Sequence, residues 1–176
     1  MNFFELLNVR ESCRNYAERP VEPEKLQAVI EAARLAPSAC NSQPWSFVVV
    51  QTPENAAKCA ACIQKSGANA FTSKAPAFII ITEEYARLAP RVLATMDSQT
   101  FAQIDLGIVT AHLTLAASEL GLSTCILGLF DEDATKETFG IPADRRVRLI
   151  LSVGYSADEA PRKKTRKPVE EIARFV

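Results

Sequence analysis

Histidine is nearly missing from this chain: among 176 residues there is one, His112. A hydrolase of the Ser-His-Asp or Cys-His kind would have to use it, and no G-x-S-x-G elbow accompanies it. Clustered histidines are missing as well. The C-x-x-C of Cys59 and Cys62 has no second pair to complete a zinc pattern. Neither G-x-G-x-x-G nor a Walker A element occurs, which removes the common dinucleotide and nucleoside triphosphate cradles. An excess of one charge is missing too. Lys and Arg number 20 and Asp and Glu 21, for a net charge of -1, so no overall field draws the chain to nucleic acid or an anionic membrane. Uninterrupted apolar runs stop far short of the roughly 20 residues that span a bilayer. Met1 to Leu7 contains no cationic region followed by a long apolar stretch. Five cysteines in a chain without that signal read as reduced thiols. The expectation is a cytoplasmic protein that engages neither nucleic acid nor membrane.

What is present points to an ordinary folded domain. Hydrophobic residues make up 48% and charged residues 23%, enough apolar surface to build a core. No repeat or low-complexity tract divides residues 1–176, so one domain is expected. Residues 2–8 read as a short helix and 10–16 as a polar loop. Leu26, Val29, Ile30 and Ala33 share a face of a helix at about 24–35, stopped by Pro37. Ser46–Thr52 is a strand by its β-branched content, and Pro53 opens a helix over 54–65. Ala77–Thr82 is a second strand, and 84–101 reads as irregular or short helix. The most apolar helix runs over 103–120; its apolar residues lie nearly all round, which predicts burial on several sides, and Gly121 closes it. Ser123–Leu129 is strand-like, Asp131 caps a short helix, and Val147–Val153 is the last strand. From Ala157 a polar and then basic tail, with its cations concentrated at Arg162–Lys167, ends in the apolar Ile172–Val176. Such an ending would be accounted for by packing on a second subunit.

Four segments carry a more specific signal. They are R-E-S-C-R-N-Y at 10–16, A-P-S-A-C-N-S-Q-P-W at 36–45, the D-L-G-I-V-T-A-H helix with its following strand at 105–128, and K-T-R-K-P at 164–168. In this order the chain resembles the FMN-dependent nitroreductase family over about residues 2–176. The resemblance implies an α+β fold, with a mostly antiparallel central sheet flanked by helices and completed by the C-terminal strand of a partner subunit. The tail from about 157 would pack on that partner. It further implies a homodimer holding FMN, reduced by NADH or NADPH as a transient donor and reoxidised by a nitroaromatic, quinone or similar small acceptor. A flavin carrier or sensor without turnover, or another reductive activity such as dehalogenation, stays open.

The resemblance assigns roles residue by residue. Arg10, Ser12, Lys164 and Arg166 would hold the phosphate, for which arginine's planar fork is suited. Arg14 would face the N1 and C2 edge of the flavin ring, where a cation stabilises the reduced form. Pro37, Ser38, Ala39 and Asn41 form a turn that contacts the partner's flavin. Leu127 and Gly128 would lie beside the flavin N5, with a strand bulge as the alternative for Gly128. Asn69 is a candidate for the ribityl or pyrimidine edge and also reads as a turn residue. Glu11 departs from the family pattern, since an acid beside a phosphate is repelled; its side chain is expected to turn to solvent. Trp45 is expected in the core, Cys59 and Cys62 as structural thiols, and His112 as a packing residue.

Overall fold

Four runs rich in β-branched and apolar residues pair into one antiparallel sheet: β1 (Trp45–Val50), β2 (Ala77–Glu83), β3 (Ser123–Leu127) and β4 (Arg146–Gly154), in the order β1-β2-β4-β3. The computed structural model describes residues 1–176. Successive side chains of a strand point to opposite faces, and β2, buried along its whole length, feeds both. Phe78 and Ile80 enter one core with Ala56, Cys59, Ala60 and Ile63 of α3 (Pro53–Gln64). Ala77, Ile79 and Ile81 enter the other, with Leu26 and Val29 of α2 (Pro23–Arg34) and Leu106, Val109 and Leu113 of α5 (Ser98–Glu119). A register shift between Ile81 and Thr82 interrupts the ladder to β4. Beyond it Val147 joins the first core, while Leu149 packs against the second.

Besides a one-turn helix in the tail, three further helices are α1 (Phe3–Val9), α4 (Pro90–Leu93) and α6 (Glu132–Phe139), the last capped by Asp131, whose side chain accepts from the Ala134 N–H at 2.9 Å. α5 begins five residues earlier than the apolar pattern predicts. Its first turn is polar in sequence, yet Asp97 caps it by accepting from the N–H groups of Gln99 and Thr100, both at 3.0 Å. Gly121, at φ +75°, closes it as expected. The helix has the length and composition of a membrane span, but its apolar residues serve the core, and one stripe of Ile104, Gly107 and Ala111 faces outward.

The two ends of the chain meet beside β3. Ser12 makes a parallel bridge to Thr124, with the Cys13 N–H donating to the Thr124 carbonyl at 2.9 Å, and Tyr16 bridges Ser156. The buried Tyr16 hydroxyl lies 2.8 Å from Ser152 Oγ, which locks this segment onto β4. Within its own chain the tail adds no strand to the sheet. Ile172 ends a one-turn helix, α7 (Val169–Ile172), and residues 173–176 join no strand of their own chain, with Phe175 88% exposed.

Gly154 sits where Tyr16 and Pro76 close on the sheet. A Cβ there would lie 2.7 Å from Pro76 Cδ and 2.8 Å from Tyr16 Cδ1. Both rings are rigid, so Gly154→Ala is expected to lower the unfolding free energy by about 1–3 kcal/mol, measured by urea denaturation. An unchanged midpoint would show that the 10–16 segment yields freely.

Candidate functional site

Arg10 follows α1, and its N–H donates to the Leu6 carbonyl at 3.0 Å. Ser12 and Arg14 follow on the strip held against β3. The tail returns along the same strip, so Arg10, Ser12, Arg14, Lys164 and Arg166 line one groove of about 380 Å³. The structure therefore brings together five of the predicted residues from the two ends of the chain. It adds Arg162 and Lys163, and Glu11 is the one acid of the lining. Burial, and then the cations of Arg10 and Arg166, lower the Lys164 ammonium below its usual range. A set of like charges crowded in this way stabilises an anion placed among them. The groove has no hydrophobic lining residue; its chemistry suits a phosphate.

Arg10 also lines a second trough of about 380 Å³, shared with Leu7, Gly107, Thr110, Ile126 and Leu149. Here the lining is mostly apolar, so a cationic cradle and an apolar slot meet at one residue. Leu127 is buried at the end of β3, and Gly128 follows it, exposed. Asn69 takes a left-handed turn at φ 60° and donates from Nδ2 to the Leu129 carbonyl at 3.4 Å. It is both the turn residue and a neighbour of the Leu127–Leu129 strip.

The turn at Pro37, Ser38, Ala39 and Asn41 lines neither trough of its own chain. It is tightly built: Cys40 and Asn41 both have φ of 52°, and Ser38 Oγ accepts from the Gln43 N–H at 2.9 Å. Its anchor is a residue that the motif reading missed. Asp105, buried in α5, accepts from the Ala39 N–H through both carboxylate oxygens, at 3.2 and 3.1 Å. An acid in the middle of the most apolar helix was the available signal.

Glu11 corrects the expectation of a solvent-facing side chain. It is 13% exposed and paired with Arg162 at 3.0 Å, because the returning tail puts a guanidinium within its reach. Trp45 is half-buried against the second core. Cys59 and Cys62 are both buried, Cys59 pushed up to about 12 by burial, and Cys62 Sγ lies 3.6 Å from Thr138 Oγ1. His112 is half-buried on α5, and its Nδ1 bonds the Ile108 carbonyl at 3.0 Å.

Comparison with known proteins gives the family. The model of the nitroreductase family matches residues 7–68 and 56–155. A Streptococcus pyogenes protein carrying the name NAD(P)H nitroreductase is 32% identical over 98% of both chains. The crystal structure of a nitroreductase family protein from Clostridium difficile is 35% identical, with a TM-score of 0.82 over 99% of this chain and 98% of that one. An Exiguobacterium sibiricum protein of the same kind, solved in complex with FMN, is 26% identical with a TM-score of 0.85, covering 100% and 98%.

Burial raises the Asp105 carboxyl against the pull of the Ala39 N–H. A raised carboxyl keeps its proton longer in the folded than in the unfolded chain. Its charging therefore erodes stability as pH climbs from the ordinary carboxylate range through the folded value. Asp105→Asn keeps an acceptor for Ala39 and is expected to flatten that dependence. Asp105→Ala leaves the N–H unpaired and is expected to lower stability by about 1–3 kcal/mol. Thermal unfolding between pH 4 and 8, followed for both variants, checks the pair.

Proposed function

Because the chain belongs to the nitroreductase family, we propose that it is an FMN-dependent oxidoreductase carrying hydride from NADH or NADPH to a nitroaromatic, quinone or similar small acceptor by alternating half-reactions. The observation that supports this most is the meeting at Arg10 of a cationic groove and an apolar trough. FMN has the matching form, a phosphate dianion at one end and a flat ring with apolar faces at the other. When bound, it supplies the two-electron chemistry, accepting from a nicotinamide and donating to the acceptor.

The chain's own residues then have separable tasks. Arg10, Lys164 and Arg166, with the Ser12 hydroxyl, hold the phosphate by charge-assisted bonds. Arg14, exposed on the same strip, offsets negative charge at the pyrimidine edge of the ring. Leu127 and Gly128 present backbone beside its reactive edge, and Asn69 stands next to them. No side-chain acid is required, since protons come from water. His112 has its Nδ1 engaged by Ile108 and serves α5 packing. The nicotinamide needs no fold of its own, only the open face.

The turn at 37–41 completes the site from a second subunit. In support, the turn does not reach the troughs of its own chain. Apolar surface is also left outward on α1 and α5, where Phe3 is 59%, Phe4 75% and Ile104 52% exposed. The exposed tail, with Ile172 at 69% and Phe175 at 88%, extends that surface toward the same partner.

Purified protein is expected to be yellow with about one FMN per chain, and initial rates with NAD(P)H and a quinone are expected to give parallel double-reciprocal lines. Colourless protein that takes up no added FMN overturns the reading, and intersecting lines overturn the alternation. Deleting Glu170–Val176 is expected to weaken the dimer by at least tenfold, about 1.4 kcal/mol, in sedimentation equilibrium. A flavin-loaded dimer of undiminished affinity after the deletion would remove the tail from the interface.

A further inference from the structure

Glu11 is a charge of the wrong sign for its surroundings. Six cations line the groove beside it, and a phosphate held there would repel a carboxylate at short range. Yet it is paired with one of those cations, Arg162. Oε2 accepts from the Arg162 backbone N–H at 3.1 Å and from Arg162 Nε at 3.0 Å, and Arg162 Nη2 donates to the Ser12 carbonyl at 2.5 Å. Three bonds thus join two adjacent residues near the start of the chain to one residue 151 positions on.

Upstream, the Ala157 N–H donates to the Asn15 carbonyl at 2.9 Å and Asn15 Nδ2 donates to Asp158 Oδ1 at 2.7 Å. Most of residues 157–176 are exposed, and the segment joins no strand. Two residues beyond Arg162, Lys164 Nζ donates to the Leu7 carbonyl in the last turn of α1, a turn with no basic residue of its own. A cation there suits the negative end of the helix. Arg166 lines the same groove. Without the bonds at 162, the stretch between Asp158 and Arg166 would keep only the Lys164–Leu7 bond to α1, and a ligand would have to order more of that stretch on binding.

We propose that Glu11 is a positioning residue for the phosphate cradle: its pairing with Arg162 clasps the tail to the 10–16 segment, so that Lys164 and Arg166 stand opposite Arg10. This rests on the FMN reading given above. It also reverses the sign expected from charge alone. Deleting an acid next to a dianion's site should tighten binding by simple Coulomb attraction, whereas removal of the clasp weakens it.

The test compares Glu11→Gln, Arg162→Gln and the double variant with the parent. Dissociation constants for FMN and for riboflavin are read by quenching of flavin fluorescence. The clasp is partly exposed, Arg162 being 57% accessible, so each single variant is expected to bind FMN roughly three- to tenfold more weakly. Riboflavin, which has no phosphate, is expected to bind all four proteins equally. The double variant is expected to bind FMN no more weakly than the worse single, as for two halves of one contact. FMN affinity unchanged or tightened in Glu11→Gln overturns the proposal, and so does an equal loss of riboflavin, which would mark general damage to the fold. Trypsin supplies a readout without flavin: cleavage after Lys163, Lys164 or Arg166 is expected to be faster in Glu11→Gln than in the parent. Unchanged cleavage also overturns the clasp. A parent that binds no FMN while the cleavage difference persists would sink the cofactor reading and leave the clasp standing.

Discussion

A sheet strand has backbone donors and acceptors on both sides, and β3 has β4 on only one of them. What lies along its other side determines the rest of the architecture. The segment around Ser12 and Cys13 takes that place through one parallel bridge, too short to count as a strand and sufficient to fix the direction of three side chains. Arg10, Ser12 and Arg14 inherit their positions from it. Tyr16, two residues on, is held by its hydroxyl to Ser152, and the same ring presses on the one strand position where a side chain would not fit. The groove is therefore shaped by backbone pairing first and by electrostatics second.

Electrostatics then sets the groove's purpose. Crowding six cations in one lining with one acid costs free energy in the empty protein, and folding tolerates it because the net charge of the whole chain is near zero. The cost is recovered when an anion arrives. Local charge density reports on the ligand, where the global balance reported only on what the chain avoids.

Much of this was legible in the residues. The strand cores of β-branched residues, the capping Asp131 and the closing Gly121 each follow from local rules, and all stand where those rules put them. The motif at 10–16 and the basic run after Arg162 were visible as well, and they converge in one groove. Their convergence was not derivable from spacing, because it depends on a tail that folds back across the whole chain length. The start of α5 escaped because its first turn is polar and held by a cap that periodicity does not register. Asp105 escaped for a related reason: its partner is a backbone N–H at Ala39, and backbone groups leave no trace in composition. Glu11 was read from its charge alone, and its neighbour Arg162 became visible only in three dimensions.

α5 does two things with neighbouring flanks. Its 22 residues make a rod about 33 Å long. One flank holds the 37–41 turn through the Asp105 carboxylate, and Ile104, next to that residue, faces outward. A helix is stiff along its axis, so a displacement of the outward stripe by any partner seated on it is passed to the turn with little loss. A variant at Ile104 chosen to probe association therefore alters the neighbour of the carboxylate that anchors Ala39, and altered turnover in it is no measure of the oligomeric state.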